Sequence, residues 1–353
     1  MERLSILDGL RALAVIIVMV SHAGLGHIVP GGFGVTIFFV ISGFLISYLL
    51  IIEREKKGFV HYGAFYLRRT VRIVPPLVLC YLATLLLVFS GLTSAQYNAP
   101  GAIWDFLLLT NYAPQLGESS GIPIPLWSLN IEEHFYMVFP FIFVAALGKS
   151  VRFAAVGLIL LIAIALLIRV HEFNDGNVKQ IYYWTHTRFD ALLFGVLLAL
   201  FVSTKSGGAR DLRGNWIVFA ISGFAIGLTL LHRDEFFRDT VRYTVQGIAL
   251  AFVFAFLLSS RSRLFTKLLE LKVLRQTADY SYVLYLIHTP LMNAARETLT
   301  FLPQPLQYAS GIAASFAFAA AMHRYIEKPL LRWRKSVEAG MQSPPALRPK
   351  GLT

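Results

Sequence analysis

Two ionisable side chains within one long apolar segment are the first candidates for chemistry. In the stretch LDGLRALAVIIVMVSHAG (7–24), Arg11 and His22 are eleven residues apart. At 100° per residue they lie within about 20° of one helix face and about 16 Å apart along its axis. Ionisable groups in apolar spans are costly and mark functional sites, and a neutral imidazole can take the proton of an alcohol. His22 is therefore the leading catalytic candidate, ahead of the alternative that a neighbouring helix merely satisfies its hydrogen bonds.

A basic cluster stands at the start of another apolar segment. In FYLRRTVRIVPP (65–76), Arg69 and Arg72 are adjacent on a helical surface, and Arg68 points about 100° away. Paired guanidinium groups bind phosphate through bidentate hydrogen bonds. The alternative is a plain anchor at the membrane surface. The two prolines that follow favour a specific site, because they shape the entry into the helix.

Carboxylate and hydroxyl side chains share one face in PLWSLNIEEHFYMVFP (125–140). Ser128, Glu132 and Tyr136 recur at every fourth position. The carboxylate of Glu132 could polarise a histidine or bind a hydroxyl group of a substrate. It could equally pair with an arginine of another helix. The spacing leaves the two interpretations open.

Two later segments add further candidates. In SYVLYLIHTP (281–290), His288 shares a stripe with a serine and a tyrosine, and it ranks below His22 because no arginine lies on its face. In HTRFDALLFG (186–195), Asp190 could pair with Arg188 or hold a substrate.

The block GGFGVTIFFVISGFLI (31–46) combines glycines with aromatics and, on its composition alone, is best explained by close helix packing.

Composition identifies the elements that must position these residues. Of the 353 residues, 56% are hydrophobic and only 15% are charged, with a mean hydropathy of +0.62. These values predict an all-α polytopic membrane bundle. Cys80 is the only cysteine, which excludes an intrachain disulfide and a cysteine-based metal site. We expect no metal.

Ten apolar windows are long enough to span a bilayer. They cover about residues 6–25, 33–52, 73–92, 124–147, 152–170, 186–203, 215–232, 242–260, 280–299 and 305–326. An eleventh, AIWDFLLLTNY (102–112), is too short and is predicted to be re-entrant or interfacial.

The distribution of positive charge predicts the orientation. The segments on the N-terminal side of these ten windows carry 23 lysines and arginines, and the segments on the opposite side carry 7. This bias places both termini in the cytoplasm of a multi-pass protein of the plasma (inner) membrane. The net charge of +12 therefore reflects topology and attraction to membrane lipids, and no basic module for nucleic acid is visible. Residues 1–330 form the predicted membrane domain, and 331–353 a disordered cytoplasmic tail.

Seven of these blocks, in this order over about residues 5–330, resemble the acyltransferase 3 family. The resemblance rests on an arginine and a histidine with ten residues between them, as at Arg11 and His22. It continues through GGFGVTIFFVISGFLI, FYLRRTVRIVPP, LWSLNIEEHFY, RFDALLFG, SYVLYLIHTPL and YIEKPL. It implies transfer of an acyl group, usually acetyl, from cytoplasmic acetyl-CoA or another acyl-CoA to a hydroxyl of an extracytoplasmic glycan. Polysaccharide, O-antigen and lipid-linked oligosaccharide all remain open as acceptors.

The resemblance also implies roles for single residues. His22 and Glu132 would be catalytic, with His22 acting as general base or as acyl carrier. The donor would be bound by four arginines: Arg11, Arg68, Arg69 and Arg72. The substrate would be bound by Ser42, Tyr136, Asp190 and His288. The rival hypothesis, a transporter or flippase of a lipid-linked glycan, also accommodates intramembrane charge.

Overall fold

The computed structural model describes residues 5–203, 215–259 and 263–342, and the regular elements in these ranges are all helical. We number the α-helices in chain order. They are α1 Ser5–Val20, α2 Gly31–Lys57, α3 Tyr62–Phe89, α4 Ala102–Phe106, α5 Ala113–Leu116, α6 Leu126–Lys149, α7 Val151–Asn174, α8 Val178–Ile181, α9 Thr185–Arg188, α10 Asp190–Ser203, α11 Trp216–Leu231, α12 Arg242–Ser259, α13 Arg263–Leu269, α14 Lys272–Thr298, α15 Gln304–Met322 and α16 Lys328–Gln342.

Six helical segments in the described ranges are long and apolar enough to cross a membrane. They are Ser5–Leu25, Gly31–Lys57, Tyr62–Phe89, Leu126–Lys149, Val151–Asn174 and Phe237–Ser259. Two shorter apolar helices, α10 and α11, and the helices α14 and α15 occupy the other predicted windows. The predicted all-α polytopic fold is confirmed, while the count of ten spans and the placement of the termini stay predictions.

Helices α2 and α10 pack with almost no space between their backbones. A Cβ atom at Gly43 would lie 1.9 Å from the carbonyl oxygen of Leu192, and one at Gly195 would lie 2.1 Å from that of Val40. Only glycine allows this approach, so these two glycines set the distance between the helices. The block that suggested close helix packing does pack in this way.

Helix α1 is followed by a change of backbone direction close to the candidate site. After Val20, α1 continues as a wider π-helical turn, Ser21–Leu25, in which Gly24 has a φ of +86°. That conformation favours glycine. The non-helical backbone begins at Ala23, so His22 lies at the end of the first span, directly before the change of direction. The glycines that open α2 lie directly across from it.

The segment predicted to be re-entrant or interfacial forms two short helices, Ala102–Phe106 and Thr110–Tyr112. Asp105 ties it to α3, because its carboxylate accepts hydrogen bonds from Tyr81 at 3.1 Å and from Thr110 at 2.8 Å. This connection therefore packs on the bundle.

The end of the chain differs from the sequence-based expectation. Residues 331–342, which we expected to belong to a disordered tail, continue the helix α16. Glu338 of this helix lies 3.4 Å from the Arg68 guanidinium, so charge pairing as well as helix propensity holds it against α3. Residues 343–353 lie outside the described ranges.

Candidate active site

Helix α14 connects the two ionisable residues of the first span. Arg11 donates a hydrogen bond to the Ser281 hydroxyl at 3.0 Å, and His22 Nδ1 lies 2.8 Å from His288 Nε2. Ser281 and His288 are seven residues apart, which is close to two helical turns and places them on one face. Arg11 and His22 therefore lie along the same face of α14, as their own spacing predicts.

The hydrogen bonds around His288 define which ring nitrogens carry protons. His288 Nδ1 lies 2.9 Å from the carbonyl oxygen of Leu284, which can only accept, so this nitrogen is the donor. In the neutral imidazole the other nitrogen, Nε2, is then an acceptor, and His22 Nδ1 must donate to it. This assignment leaves His22 Nε2 unprotonated and available as a base. His22 is exposed and His288 is fully buried.

The sequence ranking of His288 below His22 missed this partnership. The two rings stack with their centroids 5.1 Å apart, although the residues come from opposite ends of the chain. His288 was predicted to bind substrate, but its side chain is fully buried against His22 and the α14 backbone. Its role in binding substrate stays a prediction, and the geometry shows it as a hydrogen-bond partner of His22.

An interior cavity of about 90 Å³ gathers six predicted site residues. Its polar lining comprises Arg11, Ser42, Arg69, Arg72, Ser128, Glu132, Tyr136, Ser281, Tyr282 and Tyr285. Five helices supply these side chains, so no single helix could have revealed the cavity.

A second cavity of about 270 Å³ adjoins the first at the basic end of the bundle. Arg11, Arg72 and Tyr282 line both cavities. The terminal helix contributes Arg334, and the turn before it contributes Glu327. The lining also includes the carboxylates of Asp8 and Asp279, and Arg11 and Arg72 are the guanidinium groups that the two cavities share. Tyr282 was not predicted, because its hydroxyl is recognisable as part of the site only once α14 packs on α3.

Glu132 forms its hydrogen bonds with side chains of the interior cavity and not with the histidines. Its carboxylate accepts hydrogen bonds from the Ser42 hydroxyl at 2.8 Å and from the Tyr136 hydroxyl at 3.0 Å. The Arg69 guanidinium stands 4.9 Å from the centre of the Tyr136 ring. No hydrogen bond in the described residues joins Glu132 to a histidine. Its catalytic role therefore stays a prediction, and the suggestion that it polarises His22 has no support in this geometry.

A hydroxyl pair stands between that cavity and the histidines. The Ser128 and Tyr285 hydroxyl oxygens are 2.6 Å apart, and the Tyr285 ring centroid is 6.0 Å from that of His288. Tyr285 lies on the stripe between Ser281 and His288, so sequence periodicity placed it correctly without giving it a role. Its position next to both the cavity lining and His288 makes it part of the site.

Two predicted site residues lie elsewhere. Arg68 pairs with Glu53 and Glu338, each at 3.4 Å, and is not among the residues that line either cavity. Asp190 is fully buried 2.8 Å from Arg169 Nη2. The ion pair of Asp190 is thus with Arg169 and not with Arg188, which was one of its two predicted alternatives; the other, a role in holding a substrate, stays a prediction. Arg169 reaches it from α7, a contact that local spacing could not predict.

In the parts of the chain that the structure describes, no group of three or more histidine, cysteine, aspartate or glutamate side chains is placed to hold a metal ion. The cavity arginines Arg11, Arg69 and Arg72 carry guanidinium groups, whose geometry suits phosphate.

Comparison with known proteins identifies the family of this chain. A family described as an acyltransferase domain, the acyltransferase 3 family, matches residues 4–324. The O-acetyltransferase OatA of Staphylococcus aureus (strain NCTC 8325 / PS 47) is 29% identical over 343 residues, which cover 92% of this chain and 56% of that protein. The putative O-acetyltransferase SAR0937 of S. aureus (strain MRSA252) is 29% identical over 359 residues, covering 94% of this chain and 59% of its own length.

The chain belongs to the acyltransferase 3 family, because the family match spans nearly all of it. This confirms the resemblance drawn from the seven blocks, and with it the prediction of an acyltransferase. The chain spans somewhat more than half the length of the curated relatives it matches. No solved structure matches it.

Proposed function

We propose that this protein transfers an acyl group, acetyl in the simplest case, from acyl-CoA on one face of the membrane to a glycan hydroxyl at the other. One observation carries the proposal. A histidine with a free ring nitrogen lies along the same helix face as an arginine shared by two adjoining cavities. The relatives named O-acetyltransferase support acetyl as the group transferred.

The arginines suit the donor. Coenzyme A is anionic and cannot cross a bilayer, so its phosphates would stay at the basic end and be bound by Arg69 and Arg72. Arg11 would lie beside the extended pantetheine arm, whose length is comparable to the ~16 Å rise between Arg11 and His22. The thioester would then reach His22 while the nucleotide remains on the cytoplasmic side of the plasma membrane.

The free nitrogen of His22 suits the transfer step. His22 Nε2 would take the proton of the acceptor hydroxyl as its oxygen attacks the thioester carbonyl. The tetrahedral intermediate would collapse with cleavage of the carbon–sulfur bond, and the departing thiolate would take the proton from His22. His288 would accept a hydrogen bond from His22 Nδ1 throughout and hold the ring in place.

A covalent route uses the same atom. His22 Nε2 would attack the thioester itself, release coenzyme A and carry the acyl group until an acceptor hydroxyl displaces it. Incubation of the purified protein with radiolabelled acetyl-CoA alone separates the routes. Label retained on the wild-type chain and lost in His22→Ala supports the covalent route, whereas absence of label with normal transfer to acceptor supports the direct one.

The proposed function itself is tested with protein in lipid nanodiscs, acetyl-CoA and a mixture of envelope glycans. We expect release of coenzyme A together with acetyl esters on the glycan, and neither with His22→Ala. The rival hypothesis of a transporter or flippase predicts no release of coenzyme A. Full acetyl transfer by His22→Ala would contradict both chemical routes.

A further inference from the structure

A third cavity, of about 470 Å³, lies at the end of the bundle that carries His22. The segment between α7 and α9 and the start of the Phe237–Ser259 span enclose most of it. Its aromatic and charged lining includes Lys179, Tyr182, Arg238, Asp239, Arg242 and Tyr243. Neither the donor path nor the transfer step described above uses any of these residues.

Two glycines at the start of α2 bring this cavity next to the catalytic turn. A Cβ atom at Gly31 would lie 2.7 Å from the Ser21 hydroxyl oxygen, and one at Gly32 would lie 2.9 Å from the Tyr182 hydroxyl oxygen. Ser21 directly precedes His22, whereas Tyr182 lines the cavity. The wall of the cavity and the turn that holds His22 therefore approach the same short stretch of backbone.

The lining of this cavity carries a net positive charge. Lys179, Arg238 and Arg242 supply three positive charges, and Asp239 supplies one negative charge. Arg242 also donates a hydrogen bond to the Tyr243 hydroxyl at 3.1 Å, which holds its guanidinium beside the aromatic ring. The cavity is thus both cationic and aromatic.

A buried arginine behind the tyrosines adds to this positive charge. The Arg188 guanidinium lies 3.8 Å from the Tyr243 ring centroid and 5.2 Å from that of Tyr182, and the side chain is fully buried. Nη2 donates to Thr36 at 3.2 Å, but Nε and Nη1 have no hydrogen-bond partner. A buried guanidinium with two of its three nitrogens unsatisfied is costly, and an anion bound nearby would reduce that cost.

We propose that this cavity binds the acceptor and that the acceptor is an acidic saccharide, one that carries a carboxylate or phosphate. The inference rests on the proposed function and specifies its substrate class. Tyrosine rings offer apolar faces to sugar rings, and the arginines offer bidentate hydrogen bonds to the acidic group. An acceptor held here would present a hydroxyl toward the neighbouring turn that contains His22.

Binding without any acyl donor tests the site separately from the transfer reaction. The probes are a glucuronate-containing tetrasaccharide, the same tetrasaccharide with its carboxyl groups reduced to alcohols, and glycerol phosphate as the headgroup of an anionic lipid. Affinity is measured by calorimetry on the full chain in nanodiscs of neutral lipid. We expect the acidic tetrasaccharide to bind at least about tenfold more tightly than the reduced form.

Three substitutions locate the binding. Arg238→Gln should weaken binding of the acidic tetrasaccharide about tenfold, and Asp239→Asn should strengthen it, because they change the cavity charge in opposite directions. Arg233→Gln is the matched control, since Arg233 is an exposed arginine close in sequence that does not line the cavity. It should leave the affinity within twofold.

The outcomes separate this inference from the proposed function. Equal binding of the acidic and reduced tetrasaccharides, or an equal loss in Arg233→Gln, would overturn the acidic-acceptor assignment. Glycerol phosphate that binds as tightly as the acidic tetrasaccharide would identify a lipid headgroup site and overturn it as well. Selective binding of the acidic tetrasaccharide without release of coenzyme A from acetyl-CoA would instead support the site and refute the proposed transferase.

Discussion

His22 and His288 share a hydrogen bond of 2.8 Å, with the second imidazole anchored to the carbonyl of Leu284. The anchor fixes the donor and acceptor nitrogens of both neutral rings. His22, the proposed base, is thereby held in the tautomer that leaves its Nε2 free. In the proposed mechanism the buried partner would orient His22 as a carboxylate orients the histidine in other catalytic pairs.

The first prediction follows from that tautomer. His288→Ala should lower kcat for acyl transfer about 100-fold with little change in the KM for acetyl-CoA, because it removes only the acceptor for His22 Nδ1. His288→Gln should restore most of the rate, since the glutamine oxygen can accept the same hydrogen bond. Initial-rate kinetics on both variants measure kcat and the KM for acetyl-CoA separately. A Gln variant as slow as the Ala variant, with equal thermal stability, would contradict the positioning role.

The second prediction separates neighbouring arginines. Arg72→Ala should raise the KM for acetyl-CoA by about ten- to a hundredfold, because it removes a guanidinium shared by both cavities. Arg68→Ala is the control, since Arg68 is paired with Glu53 and Glu338 outside both linings. It should leave that KM within about threefold. A larger effect of Arg68→Ala would contradict this prediction, because the donor would then bind on the Arg68 face of α3 and not in the cavities.

The third prediction concerns helix packing. Gly43→Ala should destabilise the protein by about 1–3 kcal/mol, because the added methyl group would meet the Leu192 carbonyl. Gly157→Ala serves as the control, since nothing lies within 4 Å of a Cβ at that position. It should be neutral or slightly stabilising, as alanine favours a helix. Thermal unfolding in detergent compares the two, and similar melting temperatures would argue against the close α2–α10 contact.

The fourth prediction tests the orientation. Cys80 is fully buried, so a Cys80→Ser protein provides a background for single introduced cysteines. With the cytoplasmic termini that the charge bias predicts, Ser119→Cys should react with a membrane-impermeant maleimide on intact spheroplasts. Lys57→Cys should react only after permeabilisation, and both positions are exposed. The reverse pattern would place the arginine-lined cavities on the outer face.

Residues that act within one helix were the most predictable parts of this site. The eleven-residue interval between Arg11 and His22 predicted a shared face, because helix geometry is fixed over such a distance. The stripe of Ser281, Tyr285 and His288 followed from the same rule. Apolar windows likewise located the long helices, because a membrane span requires length and low charge.

Contacts between distant helices were not predictable from spacing. The partner of His22 is 266 residues away, and the partner of Asp190 comes from the preceding long helix. Local spacing therefore offered Arg188 as a partner of Asp190, whereas the ion pair is formed with Arg169. Arg68 was grouped with Arg69 and Arg72 by sequence, but the terminal helix, expected to be disordered, supplies the carboxylate that pairs with it.

Arg11 and Arg72, which line both the basic-end cavity and the interior one, have a consequence for the integrity of the membrane. The proposed transfer of an acyl group between the two faces of a bilayer would risk leaving a path for protons and metal cations. Guanidinium groups that line both cavities would repel both kinds of cation, as positive charges do in other membrane pores. The same two side chains that would bind an anionic donor would thus keep the resting protein from discharging the ion gradients of the cell.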